Sequence, residues 1–292
     1  MKIRVSHLTR YEYDRPVQFS PHYFYLRPRE DPLLHVESFS LGSTPAAKTY
    51  WMRDDCDNLL ACAHFSAPAQ NLEILSEFEV LTSDTQPHDY KAKQYATTFP
   101  FEYEQLHRFN LGSYLVKPAT HIQSTLQQWL NQRFPTRPRE TGTYLFELNK
   151  ILQQSLRNQS RSAPGIQSSI QTITLGSGAC RDFAVLLVDL LRILGLAARF
   201  VSGYFYDPAV AGTNDTAMHA WTEVYLPGAG WKGLDPTTGL FCYDAYIPVA
   251  HAAIAESVNP IQGAYFPVTP TSSTPIAHAP RLFTNIITQR LA

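Results

Sequence analysis

Three residues in the second half of the chain have side chains that could carry out nucleophilic chemistry together: Cys180, His219 and Asp235. A cysteine attacks as the thiolate, and its unperturbed pKa of about 8.5 leaves only a small fraction ionised at neutral pH. A histidine beside the sulfur can form a thiolate–imidazolium pair, and a carboxylate can hold the other ring nitrogen. The three residue types therefore predict a nucleophile, a base and an orienting acid.

The sequence after Cys180 predicts a helix that begins at the thiol. In FAVLLVDLLRIL apolar residues recur at three- and four-residue spacing with few interruptions, which is typical of a buried helix, and Gly195 is placed to end it. Unpaired backbone N–H groups and the helix dipole at such a start favour a negative sulfur. The N–H of Cys180 is the predicted oxyanion donor, and Gly176 and Gly178 permit a tight turn before it.

His219 and Asp235 lie on two predicted strands of one hairpin, AMHAWTEVYL and WKGLD, which turns near Pro227 to Gly230. A four-residue loop would pair Leu226 with Trp231 and would place the histidine and the aspartate on opposite faces. The triad hypothesis therefore predicts a loop of odd length or a bulge, which glycine at positive φ can supply.

Three further residues are candidates for lining the site: Trp221, Gly178 and Arg181. Trp221 shares the His219 face of its strand, although a strand tryptophan is more often a packing residue. Asp182, in the first helical turn, fits a capping role and could also hold a neighbouring loop.

A metal site and a disulfide framework are both disfavoured by the spacing of the cysteines. Cys56, Cys62 and Cys242 have no close CxxC partner, and zinc sites commonly use close-spaced pairs. We expect reduced thiols, three of them in packing roles, with no metal and no cofactor.

Hydrophobic periodicity divides the 292-residue chain into regions. Alternating apolar residues such as Ile3, Val5, Leu72, Ile74, Phe78 and Val80 predict an all-β, sandwich- or barrel-like module over residues 1–85. The polar segment SDTQPHD opens a predicted linker, 86–115. Helical patterns in HIQSTLQQWLNQRF and TYLFELNKILQQSL, followed by the cysteine helix and the strand AARFVSGYFY, predict an α+β catalytic domain with a C-terminal extension over residues 116–292.

The charge is close to balanced, with 24 basic and 25 acidic residues, which gives no indication of a nucleic-acid partner. The first residues lack the apolar core of a signal peptide, and no stretch approaches 18 uninterrupted apolar residues. We therefore expect a cytoplasmic protein without a membrane partner. The oligomeric state is left open.

The chain resembles the bacterial branch of the transglutaminase-like superfamily of papain-type cysteine enzymes. The resemblance rests on GACRDFA, GLAARFVSGYFYD and HAWTEVYLPGAGWKGLDPTTG, and on HLTRYEYDRPV, Leu26-Arg27-Pro28-Arg29 and WMRDDCDNLL in the first part. It implies a papain-like core with a helix-borne cysteine packed on an antiparallel sheet, after an N-terminal β module, and implies Cys180, His219 and Asp235 as the triad. Ala253-Ile254-Ala255 replaces an Arg-Asp-Tyr segment of that branch, and Asp57 replaces a turn glycine.

Residues and resemblance together predict acyl transfer at an amide or peptide bond through a thioester, with a peptide or protein as substrate. Hydrolysis by a cysteine protease or amidase is favoured because water is always present. Two alternatives stay open: protein cross-linking as a protein-glutamine gamma-glutamyltransferase, and a non-catalytic peptide-binding or scaffolding module.

Overall fold

The computed structural model describes residues 1–83, 90–161, 165–213, 217–268 and 279–291. The predicted linker segment at residues 84–89 and most of the proline- and threonine-rich segment at 267–280 therefore lie outside the described residues. Within the described ranges, no helix is both long and apolar enough to span a bilayer.

The N-terminal region consists of strands whose residues alternate between buried and exposed, as the sequence predicts. The strands are β1 (Lys2–Phe19), β2 (His22–Phe24), β3 (Leu34–Thr44), β4 (Lys48–Arg53), β5 (Leu59–His64) and β6 (Ala69–Thr82). Strands β1, β6 and β3 form one antiparallel sheet, and β2, β5 and β4 form another. The apolar cluster shared by the two sheets includes Val17, Phe24, Ala61 and Leu72. Asp57 has φ +64°, so it occupies the left-handed turn position that aspartate tolerates.

The helices and a third antiparallel sheet follow. They are α1 (Gln105–Asn110), α2 (Thr120–Arg133), α3 (Thr141–Ser155), β7 (Arg157–Asn158), α4 (Ser169–Leu175), β8 (Ser177–Gly178), α5 (Cys180–Ile193), β9 (Ala198–Phe205), β10 (His219–Leu226), β11 (Gly230–Asp235), β12 (Leu240–Phe241) and β13 (Tyr246–Ala252). Short 3-10 turns occupy Gln94–Ala96, Gly112–Leu115 and Ala255–Val258. The sheet order is β12-β11-β10-β9-β13.

Helix α5 packs on β10 and β9, which gives the predicted helix-borne cysteine on an antiparallel sheet. Phe183, Leu187 and Leu190 are fully buried in its interface. One polar contact also joins the layers, since Thr222 Oγ1 in β10 donates a hydrogen bond to the Ala184 carbonyl in α5 at 2.9 Å. Thr222 therefore lies on the face of β10 that is turned toward α5.

The C-terminal extension of the predicted catalytic domain returns to the strands of the N-terminal region. The last strands are β14 (Ile261–Gln262), β15 (Tyr265–Pro267) and β16 (Arg281–Arg290). β14 pairs with β2, while β15 and β16 pair with β1. The physical reason is the free edge of β1, whose N–H and C=O groups need partners. One apolar cluster also joins both regions, since it contains Val5 and Phe78 together with Leu187.

Helix α4 and strand β13 are among the elements that the sequence patterns do not predict. Helix α4 is only seven residues long, and its start is held by a capping box between Ser168 and Gln171. The predicted linker, in turn, contains α1 and two of the 3-10 turns, and its Tyr103 is buried. Tyr103 accepts the Ala197 N–H and donates to the Tyr225 carbonyl, so this segment is tied to the sheet.

The pairing of β16 with β1 predicts that the C-terminal strand stabilises the N-terminal module. Ile286 is 1% exposed, so Ile286→Ala should lower the free energy of unfolding by about 2–5 kcal/mol. Leu282→Ala, in the same strand but 57% exposed, should change it by less than about 0.5 kcal/mol. Urea unfolding midpoints measure both, and equal effects would contradict this packing.

Candidate active site

Cys180 is the first residue of α5, and its helix start is built around the buried carboxylate of Asp182. Asp182 Oδ2 accepts the Ala179 N–H at 2.8 Å. Its two oxygens also accept Arg161 Nε and Nη2, each at 3.1 Å, and Oδ1 accepts the Gln167 N–H at 2.8 Å. Asp182 therefore caps the helix and holds the preceding loop, which matches the structural role considered from the sequence. These bonds fix the backbone that carries the thiol.

His219 begins β10, and the hairpin register brings it to Asp235. Leu226 pairs with Gly230, so the loop has three residues and an odd length, as the triad hypothesis requires. Gly228 and Gly230 both have positive φ, at 88° and 74°. The register places Asp235 on the same face as His219, and Nε2 of the ring lies 2.8 Å from Asp235 Oδ2.

The Asp235 carboxylate is completely buried and receives four hydrogen bonds. Oδ1 accepts the backbone N–H and the hydroxyl of Thr237 at 2.8 and 2.7 Å. Oδ2 accepts the Tyr246 hydroxyl at 2.8 Å in addition to the ring of His219. Asn149 in α3 anchors the same corner, because its Nδ2 donates to the Asp235 carbonyl at 3.0 Å. The carboxylate thus has a fixed position and orientation.

The Cys180 thiol lies close enough to the His219 ring and to the backbone N–H of Ala220 for both to lower its pKa. Because Nε2 of His219 is bound to Asp235, Nδ1 is the ring nitrogen that faces the sulfur. Cys180 and His219 are partly exposed, whereas Asp235 is not. The thiol, the imidazole and the carboxylate therefore lie in a row, and the end of the row at the sulfur is partly exposed to solvent.

The electrostatics of this group favour the ion-paired form. Burial raises the pKa of the Cys180 thiol, but the His219 ring outweighs it and leaves that pKa below its ordinary value. Burial lowers the pKa of His219, but Asp235 and Cys180 raise it to about 10. Burial likewise raises the pKa of Asp235, and His219, Thr237 and Tyr246 together bring it below its usual range. These directions favour a thiolate–imidazolium pair over a neutral thiol and a neutral imidazole.

The three additional candidate residues all lie near the triad, and the structure gives each a packing or anchoring contact. Trp221 is 1% exposed, with its ring 6.3 Å from that of His219. A Cβ at Gly178 would come within 2.9 Å of the Asp182 Cβ, so glycine is needed there for the cap. Arg181 Nε donates to the Gly165 carbonyl at 2.9 Å and so helps hold the loop before α5.

Sequence reasoning missed two residues that bind the acid, Tyr246 and Thr237. Thr237 follows the aspartate by two positions, and its N–H bond to Asp235 Oδ1 is the local turn that Asp often forms. That pattern could have been recognised. Tyr246 stands on β13, a strand with no clear periodic signal, so nothing local indicated its contact.

The remaining cysteines are unbridged and have a different environment. Burial raises the pKa of the Cys56 thiol and raises that of Cys242 well above the ordinary value. Among the described residues, no group of three or more His, Cys, Asp or Glu side chains could hold a metal ion.

Comparison with known proteins gives matches to both regions. The bacterial transglutaminase-like N-terminal region matches residues 3–81, and the transglutaminase-like superfamily matches residues 129–236. An uncharacterised protein of Mycobacterium leprae is 24% identical over 270 residues, which cover 90% of this chain and 93% of that protein. One of Mycobacterium bovis is 28% identical over 281 residues, covering 90% and 87%.

A solved structure shares the fold over the whole chain. It is described as that of a proposed cysteine protease from Cytophaga hutchinsonii, and it has a TM-score of 0.71 at 17% identity. The match covers 100% of this chain and 92% of that one. The α+β core and the preceding β-rich region therefore form an arrangement already known. The match to the transglutaminase-like superfamily supports a cysteine-dependent activity in general.

The pKa directions predict that Cys180 is the most reactive thiol at neutral and mildly acidic pH. Its thiolate persists down to its lowered pKa, whereas burial keeps Cys56 and Cys242 protonated to higher pH. His219→Asn should move the onset of Cys180 alkylation to higher pH, because burial then acts without the imidazolium. Iodoacetamide labelling followed by peptide mass spectrometry measures each rate between about pH 5 and 9. Equal rates at Cys180 and the other cysteines would contradict the ion pair.

Tyr246→Phe tests the support of the acid. It removes one donor from Asp235 Oδ2, and a hydrogen bond to a charged group contributes about 1.5–3 kcal/mol. The pKa of Asp235 should rise, so the loss of Cys180 alkylation on the acid side should begin at higher pH. At neutral pH we expect the rate to fall by about tenfold. Tyr243→Phe is the matched control, since the Tyr243 hydroxyl makes no hydrogen bond within the described part of the chain. Identical profiles for both variants would exclude a positioning role for Tyr246.

Proposed function

Because the chain belongs to the transglutaminase-like superfamily, we propose that it is an enzyme that transfers acyl groups from amide or peptide bonds to water through a Cys180 thioester. The observation that carries this proposal is the partly open Cys180 thiol beside His219, whose Nε2 is hydrogen-bonded to buried Asp235. A group that only packs has no chemical need for this arrangement. The same observation weighs against a purely scaffolding role.

The proposed first half-reaction begins with attack of the Cys180 thiolate on the amide carbonyl carbon. The carbonyl oxygen becomes negative, and the Cys180 N–H at the start of α5 is placed to donate to it. His219 Nδ1–H then protonates the leaving nitrogen as the carbon–nitrogen bond breaks. An amine or ammonia departs, and a thioester on Cys180 remains.

In the second half-reaction, neutral His219 takes a proton from water, and the resulting hydroxide attacks the thioester. The carbon–sulfur bond breaks, the carboxylic acid product leaves and the thiolate–imidazolium pair is restored. Asp235 stays ionised throughout, because its role is to hold the ring and stabilise its positive form. Its four hydrogen bonds support that role.

Water is favoured over an amine as the acceptor for a physical reason. A lysine acceptor needs a group that recognises its ammonium or a passage that admits it. The two carboxylates built into the site, Asp182 and Asp235, are both fully buried and engaged in hydrogen bonds. Neither of these two is available to bind a cation, and water as the acceptor requires no such group.

The proposal predicts a labelled acyl-enzyme on Cys180. Native protein and Cys180→Ala should be treated with a panel of electrophilic peptides and amides, with Cys56→Ala as the matched control. We expect label in native protein and in Cys56→Ala, and a fall in turnover of at least about 10³-fold in Cys180→Ala. Acyl-enzyme in Cys180→Ala would show that another residue is the nucleophile.

The acceptor is measured in the same experiment by adding a fluorescent primary amine. Hydrolysis predicts that free acid forms with little incorporation of the amine. Predominant incorporation would instead support cross-linking. Absence of label in native protein across the panel, with intact fold by circular dichroism, would favour the binding-module alternative.

A further inference from the structure

A cavity lies away from the triad, between the N-terminal module and the core sheet. Most of the charged side chains that line it are basic. It encloses about 300 Å³ and is lined by Arg27, Arg29, Arg53, Arg199 and His251, with Glu30 and Asp57 as its carboxylates. The first three arginines belong to the N-terminal module, whereas Arg199 is on β9 and His251 is on β13. The cavity therefore joins the two parts of the fold.

The carboxylates nearby are already engaged by other groups. Glu30 Oε1 accepts the Val36 N–H and contacts His35, and its Oε2 lies 3.4 Å from Arg27 Nη2. Asp57 pairs with Arg53 at 3.1 Å. Beneath the cavity, Glu223 is held by Arg199, with Nη2 at 2.6 Å and Nε at 2.7 Å.

Arg29 is the guanidinium that this arrangement leaves without a close partner. Its nearest carboxylate oxygen, on Glu223, is 3.6 Å away, which is beyond hydrogen-bond length. Its Nη1 is buried without a hydrogen-bond partner within the described part of the chain. The side chain as a whole is 27% exposed, so part of it remains open to a ligand.

The local field is positive enough to affect the neighbouring histidine. Burial lowers the pKa of His251 to about 3, and the charges of Arg199 and Arg29 act in the same direction, against Glu223 and Asp54. Its Nε2 lies 3.1 Å from Arg199 Nη1, and its Nδ1 is buried without a partner among the described residues. The histidine is therefore neutral and does not add to the charge, but it can donate or accept a hydrogen bond.

We propose that this junction cavity is a binding site for a small oxyanion, a phosphate or carboxylate group, held by Arg29 with Arg27 and Arg53. Guanidinium groups bind both kinds of oxyanion through paired N–H donors. Glu223 alone does not balance the positive charge of the cavity, and such a ligand would supply the missing negative charge. It would also contact both the N-terminal module and the core sheet. Binding therefore stabilises the junction between them.

The experiment is calorimetric titration of the full chain with sodium phosphate and, separately, sodium acetate, with ionic strength held constant by sodium chloride. Saturable binding, accompanied by a rise in the unfolding temperature that chloride does not produce, is the expected result. Tighter binding of phosphate assigns the site to a phosphate group, and tighter binding of acetate assigns it to a carboxylate. Absence of saturable binding by either ion overturns the proposal.

Variants locate the site. Arg29→Gln should raise the dissociation constant by about tenfold or more, because a charged hydrogen bond to the ligand is lost. Because Arg29 also lies near buried Glu223, Arg53→Gln provides a second variant at a more exposed position, with a 58% exposed side chain. Arg10→Gln, an exposed arginine on β1 paired with Glu12, is the control for equal loss of charge. Equal affinities in Arg53→Gln, Arg10→Gln and native protein would overturn the assignment.

Discussion

The register of the β10–β11 hairpin is the constraint on which the rest of the site depends. Side chains alternate along a strand, so a single added or lost residue in the turn would move the acid to the opposite face of the sheet. The turn of three residues, from Pro227 to Ala229, keeps His219 and Asp235 together. Gly228 supports this in two ways: its φ is positive, and a Cβ there would come within 2.8 Å of the Lys93 backbone nitrogen. The segment before the helices is thus packed against the turn that sets the chemistry.

Two buried carboxylates have complementary roles on either side of the thiol. Asp182 fixes the start of α5, and Asp235 fixes the ring that faces it. Burial of an unpaired carboxylate would be costly, and each is stabilised by several donors in addition to a positive or proton-bearing partner. The sulfur is therefore positioned from the helix side and the imidazole from the sheet side. Neither support requires a contact between the two acids.

Residues with local patterns could be predicted, and those whose roles depend on distant pairing could not. The α5 stripe, the alternation in β1 and β6, and the odd hairpin loop all follow from periodicity or parity. Strand β13 contains Pro248 and has a register shift between Pro248 and Ala250, so its alternation is broken. Tyr246 reaches Asp235 only because β13 pairs with β9. Gly203 in β9 leaves space for the Trp221 ring, since a Cβ at Gly203 would come within 2.7 Å of that ring. This packing depends on three strands together, so it cannot be predicted from the sequence of any one of them.

The pairing of β16 with β1 also governs the order in which the molecule can be completed. Ile3 lies opposite Arg290, so one long edge of β1 stays uncovered until β16 has been synthesised. Contacts this distant in sequence slow folding, because the intervening chain must first be ordered.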